Sequence, residues 1–140
     1  MRPVLDRRLA LPFFISRVPA GFPSPAEDFA DGALDLNDLI EHPAATFIVR
    51  VSGYSMSGAG IYDGDLLIVD RSIKPRSGQI VVAASAGDMV VKRLRSKAGR
   101  WWLVPETQDQ GGNDETYKAV EMGEGEEIWG VVKNVVRCLS

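Results

Sequence analysis

Apolar positions along the chain follow two regimes. From Thr46 onward they come in short runs with a period of two or with none, broken by glycine and aspartate. Thr46 to Val51 alternates, and Asp65 to Asp70 is nearly all apolar. Ile80 to Ala84 and Met89 to Leu94 flank a turn at Ala86-Gly87-Asp88, and Trp101 to Val104, Tyr117 to Val120 and Ile128 to Leu139 complete the set. Alternation places successive side chains on opposite faces of a strand, and Gly/Asp turns without intervening helices predict a mostly β domain of short, largely antiparallel strands. The polar stretch 108–115 reads as a loop.

The N-terminal part differs. Pro3, Pro12, Pro19, Pro23 and Pro25 exclude a long helix and predict an extended N-terminal arm. Ser24-Pro25-Ala26-Glu27 carries a capping-box pattern for a short helix that Gly32 would limit, and a second short helical stretch is expected over 36–41, before His42-Pro43. The boundary between arm and β domain is expected at 31/32, giving an arm over 1–31 and a domain over 32–140.

Composition narrows the chemistry. The 140 residues are 45% hydrophobic and 25% charged, with a formal net charge of -3. A surface that grips nucleic-acid phosphates is normally basic, so no direct nucleic-acid site is indicated. The early apolar stretch, Leu9 to Ile15, is interrupted by Pro12 and falls short of the roughly 20 residues a bilayer demands, so no membrane role is expected. Cys138 is the one cysteine; it excludes an internal disulfide, fits a reducing cytoplasm and is expected as a small buried hydrophobe. With one histidine, His42, and no cysteine cluster, a zinc site of the usual ligands is not expected, and no cofactor motif is present. Asp63-Gly64-Asp65 is better read as turn chemistry than as a metal site.

Two segments remain as candidate chemistry. Ser52-Gly53-Tyr54-Ser55-Met56 directly follows the Thr46–Val51 strand and precedes Ser57-Gly58-Ala59-Gly60. Small residues after a strand let backbone N–H groups converge near a hydroxyl, as a serine nucleophile with an oxyanion hole requires; the same residues also build ordinary loops. In the strand Met89 to Leu94, Lys92 shares its face with Val90 and Leu94, and Arg93 lies on the other with Met89 and Val91. Either charge can be the exposed one. If Lys92 faces inward, desolvation depresses its pKa and makes it a usable base; otherwise it is a solvated edge lysine.

These segments, with Ala20 to Ala26, Asp35-Leu36-Asn37, His42-Pro43, Asp63 to Asp70, Val91-Lys92 and Gly130-Val131-Val132, together resemble the S24 peptidase family of LexA-type self-cleaving proteins, and within it the UmuD branch. Order and spacing match the family from about Ala10 to the end. The resemblance implies a LexA/UmuD-type catalytic fold, Ser55 as nucleophile, Lys92 as general base and Ala20-Gly21 as the scissile bond. Ala20 stands where UmuD proteins often carry cysteine, but an Ala-Gly bond is what LexA-type repressors cut. It also implies a cytoplasmic homodimer, stimulation by the RecA filament on single-stranded DNA, and an accessory role for a Y-family (UmuC-like) translesion polymerase in the SOS response. The stretch before Ala20 is too short for the helix-turn-helix domain of the repressors, which favours the UmuD branch. Ala10 to Phe14 lies where UmuD proteins have a sliding-clamp contact; an apolar segment there can equally pack on its own domain. A Ser-Lys protease acting in trans and a non-catalytic interaction module of the same fold are the competing readings.

Overall fold

The structure is a computed structural model and describes residues 10–14, 30–108 and 118–140. The chain divides into two compact units, 1–43 and 44–140.

In the first unit, β1 (Ala10–Phe14) pairs antiparallel with β2 (Ala30–Asp35). Pro12 has no N–H to give a ladder, which fits a narrow two-stranded ribbon, and the register slips between Pro12 and Phe14. This pairing was not expected, and Gly32 sits inside β2 rather than at a helix end. The predicted helix over 36–41 is instead a single 3₁₀ turn, Leu36–Leu39, whose N-terminus is capped by Asp35 accepting from the Asn37 amide at 2.9 Å. Asn37 and Asp38 are poor helix formers and Pro43 follows closely, so one turn is all the segment sustains. The capping box at 24–27 and the scissile-bond candidates Ala20 and Gly21 lie outside the described residues.

The second unit is one antiparallel sheet. Its strands are β3 (Thr46–Arg50), β4 (Leu66–Asp70), β5 (Ile80–Ser85), β6 (Asp88–Lys97), β7 (Arg100–Val104), β8 (Val120–Glu121) and β9 (Glu126–Val136). They lie in the order β3-β4-β9-β5-β6-β7-β8. Alternation explains the core. Val81 and Ala83 of β5 enter a cluster with Leu94, Leu103 and Val131, while Val82 enters a second one with Val51, Met56, Ile61, Leu67 and Val69. Both faces of β5 are therefore buried, and Met56, one residue past Ser55, anchors the candidate loop in the second cluster. Fully burying a side chain of that size is worth about 1.5–3 kcal/mol.

Central β9 carries an extra residue at two places, Trp129 opposite β5 and Lys133 opposite β4. Such bulges bend and twist a strand, which lets β9 serve both clusters. Between them, Gly130 leaves room for β4: a Cβ there would stand 2.6 Å from Val69 Cγ1. Cys138 is exposed, correcting its expected burial: β9 ends at Val136 and the last residues leave the sheet. Of the tryptophans, Trp129 packs on Phe47 at 5.4 Å with Arg71 over its ring, whereas Trp101 on β7 is exposed. No helix among the described residues is long and apolar enough to cross a membrane.

The β6–β7 hairpin turns through Ala98 and Gly99, both at positive φ (53° and 75°). A left-handed alanine in a two-residue hairpin loop is disfavoured, and asparagine is the preferred residue there. Ala98→Asn is expected to stabilise the protein by roughly 0.5–1 kcal/mol; an unchanged or lower urea midpoint would contradict this.

Candidate active site

Ser55 stands in the loop that leaves β3, and the loop's shape follows from its hydrogen bonds. Val51 exchanges backbone bonds with the 64–65 turn, its N–H to Asp65 O and its carbonyl from Gly64, both at 2.8 Å. Gly53 takes φ +91°, which an L side chain rarely adopts, and its amide donates to Asp63 Oδ1 at 2.8 Å. Beyond Ser55 the backbone closes into a 3₁₀ turn, Ser57–Ala59, with Ala59 and Ile61 both donating to Met56 O. The segment after β7 holds the other side: Glu106 N–H donates to Ser55 O at 2.8 Å, and Gly58 N–H to Glu106 O at 2.7 Å. Gln108 N–H adds a bond to Ser57 Oγ at 3.1 Å.

Lys92 comes from β6, opposite Val81 of β5. It is half-buried, and its Nζ donates to Ser55 Oγ at 2.7 Å. Burial pushes its pKa below the ordinary lysine value, because the cation loses hydration. The choice left open by alternation, one of Lys92 and Arg93 exposed, is resolved differently: both are partly buried. Arg93 is held as a cation by Glu106 through two bonds, Nε–Oε1 at 2.6 Å and Nη2–Oε2 at 3.0 Å. Those bonds also keep the Glu106 carboxyl below its usual range. A groove of about 330 Å³ opens over the serine and lysine, with walls that include Val49, Val51, Tyr54, Met89 and Val91. Its apolar walls suit the side chains of a bound peptide. The Ser55 amide donates to no acceptor among the described residues.

Several contributors were not legible in the sequence. Asp63 and Gly64 are turn residues as expected, but Asp65 is buried and is gripped by Arg137 through two bonds of 2.6 and 2.7 Å. Arg137 also donates to Gly60 O at 2.8 Å and lies over the Tyr62 ring. The one sequence signal was that Asp65 shares the inward face of Leu67 and Val69; a buried carboxylate there demands a cation. Arg137 lowers the Asp65 pKa to about 2, from an ordinary 3.8. The folded value lies below the unfolded one, so this contribution is full above about pH 4 and is lost as pH falls through about 2. Arg137→Met is therefore expected to lower the thermal midpoint at pH 7 by about 5 °C or more, with the gap narrowing toward pH 2. A gap independent of pH in a melting series would refute the pairing argument.

An antiparallel β domain that sets a serine hydroxyl against a half-buried lysine amine in a largely apolar groove has the design of a serine-peptidase domain. A family model described as Peptidase S24-like matches residues 12–133. Protein ImpA of Salmonella typhimurium is 53% identical over 90 residues, 64% of this chain and 62% of that protein. Protein MucA of Escherichia coli is 42% identical over 124 residues, 88% of this chain and 82% of MucA. The LexA repressor of Aeromonas salmonicida is 40% identical over 95 residues, covering 68% of this chain and 46% of the repressor. The chain thus spans somewhat under two thirds of the ImpA relative's length. It belongs to the S24-like peptidase family, in the group with ImpA and MucA, and the fold is the mostly β one this family implies.

Proposed function

We propose that this protein is a self-cleaving serine endopeptidase in which Ser55 attacks the Ala20-Gly21 bond with Lys92 as base. The single observation that carries the reading is the 2.7 Å contact between Lys92 Nζ and Ser55 Oγ, on a lysine whose pKa is lowered by burial. The arm, 1–31, is the substrate and 32–140 the peptidase domain.

Neutral Lys92 takes the Ser55 proton as Oγ bonds to the Ala20 carbonyl carbon. The oxyanion is held by backbone N–H groups, the Ser55 amide among them. As the C–N bond breaks, the Lys92 ammonium returns the proton to the Gly21 amine. Water, deprotonated by Lys92, then attacks the acyl-enzyme and regenerates the Ser55 hydroxyl. One product ends at the Ala20 carboxylate and the other starts at Gly21. Because substrate and catalyst share a chain or a dimer, proximity is supplied by folding, and control acts on occupancy of the groove and on the charge of Lys92.

The biological setting follows from the family. The chain acts in the cytoplasm in SOS mutagenesis as a homodimer. Cleavage is stimulated by the RecA–single-stranded DNA filament, and the trimmed product serves a UmuC-like translesion polymerase. Leu11, exposed on β1, is available for the sliding-clamp contact suggested for Leu11–Phe14. The test is incubation with RecA, single-stranded DNA and nucleotide, read by intact mass. A fragment beginning at Gly21 is expected; a chain that stays whole, or a cut elsewhere, overturns the proposal.

A further inference from the structure

Ser55 and Lys92 arrive from separate segments, a loop after β3 and the middle of β6, so something must fix the distance between them. The loop is held from one side by Asp63, through the Gly53 amide. From the other side it is held by the backbone of Glu106, which donates to Ser55 O and accepts from Gly58 N–H. The same residue's carboxylate takes the fork of Arg93, the residue next to Lys92 on β6. Arg93 Nη1 also donates to Gly78 O at 2.9 Å, which stops the guanidinium from turning. One residue thus touches the nucleophile's own carbonyl with its main chain and the base's strand with its side chain.

We propose that the Arg93–Glu106 ion pair is a positioning device that sets the Ser55 hydroxyl against the Lys92 amine. Neither residue lines the groove that holds Ser55 and Lys92; they act through those two. The proposal rests on the reading of Ser55 and Lys92 as the catalytic pair.

Geometry and charge both support it. Side chains of Arg93 and Glu106 are 23% and 29% exposed, so the pair is shielded from water more than a surface ion pair is. The two-pronged contact fixes direction as well as distance, which a lysine in place of Arg93 cannot do. Arg95 stands 3.9 Å from Glu106 as a second cation, and Arg50 and Tyr54 are the other ionisable residues lining the groove with Lys92. With Glu106 held below its ordinary pKa by Arg93, the pair stays ionised through neutral and mildly acidic pH. The link is therefore constant over the range in which Lys92 changes charge. Loosening it admits water to Lys92 and moves its titration back toward that of a free lysine.

The full-length protein is compared with Glu106→Ala, Glu106→Gln, Arg93→Lys and the swap Arg93→Glu/Glu106→Arg. Three quantities are read: the self-cleavage rate with the RecA filament, the thermal midpoint, and the titration of Lys92 by NMR of ¹³C-labelled lysine. Glu106→Ala is expected to slow cleavage roughly tenfold or more and to move the Lys92 midpoint upward. Glu106→Gln, which keeps the shape, is expected to change both in the same direction and serves if the alanine variant does not fold. The swap is expected to recover part of both. Wild-type rates in Glu106→Ala or Glu106→Gln, or slower cleavage with a lower thermal midpoint and an unmoved Lys92 titration, overturns the positioning role. Ser55→Ala separates the two claims. If it still cleaves, the catalytic reading fails, while the Lys92 titration continues to judge the link between Glu106 and Lys92.

Discussion

Replacing Lys92 by methionine is expected to slow self-cleavage about 10²–10⁴-fold, the range over which a general base contributes, while leaving the fold as stable or more so at neutral pH. Methionine has a similar length and no charge, so it fills the space against Val81 without a buried ammonium. The sign of the stability effect follows from the direction of the Lys92 shift. Burial lowers its folded pKa below the unfolded value, so between the two the unfolded chain binds more protons. Native stability therefore rises with pH across that window, and the part lost below it is what methionine removes. The same shift predicts that cleavage without RecA accelerates as pH rises and levels off once Lys92 is neutral. Ser55→Ala, which removes the attacking oxygen, is expected to abolish Gly21-ended product altogether. Mass spectrometry of timed samples, with melting curves of each variant, checks the set. A Lys92→Met protein that cleaves at the wild-type rate, or a flat rate up to about pH 10, removes Lys92 from the mechanism.

Ser55 and Lys92 could be singled out as candidates in the sequence for a physical reason, although the local pattern alone fitted an ordinary loop and an edge lysine equally. Only the family resemblance joined the two. A serine among glycines after a strand and a lysine in an apolar run are both local departures from pattern, and local patterns are what a sequence displays. The strands of the second unit were legible for the same reason: β3 to β7 and β9 follow alternation or an apolar run, with ends that coincide or differ by at most three residues. Asp63, Arg93, Glu106 and Arg137 were not identified as parts of the site because each acts through a partner that no local rule names. Arg137 meets Asp65 across 72 positions, and Glu106 meets Ser55 through its main chain, where side-chain identity leaves no trace. The β1–β2 ribbon was missed because five prolines before Ala26 argue against regular structure, yet Pro12 needs only a ladder position that does not call on its N–H. Cys138 was placed inside because its neighbours are apolar, but the strand ends two residues earlier.

The loop around Ser55 also makes a prediction that separates two kinds of glycine. At Gly60, φ is +82° and nothing lies within 4 Å of a Cβ, so alanine there costs about 1–2 kcal/mol of backbone strain and leaves the neighbours in place. Gly58 is the opposite case. An added Cβ would stand 2.9 Å from Thr107 O and 3.0 Å from Glu106 O, both backbone atoms, the second held by the Gly58 amide itself. Side-chain rotation cannot relieve that contact, so the 55–58 turn and the 106–107 segment must part. Parting them stretches the Gly58 N–H to Glu106 O bond, now 2.7 Å, and with it the bond from Glu106 N–H to Ser55 O. Gly58→Ala is therefore expected to destabilise the protein by about 1–3 kcal/mol and, in whatever remains folded, to slow cleavage by up to about 10²-fold, since a displacement near 1 Å at a nucleophile has that effect. Gly60→Ala is expected to lose stability with far less change in rate. Urea melts and cleavage rates measured side by side decide it. Equal rate losses in the two variants would mean that the close approach of Gly58 to Glu106 does not set the position of Ser55.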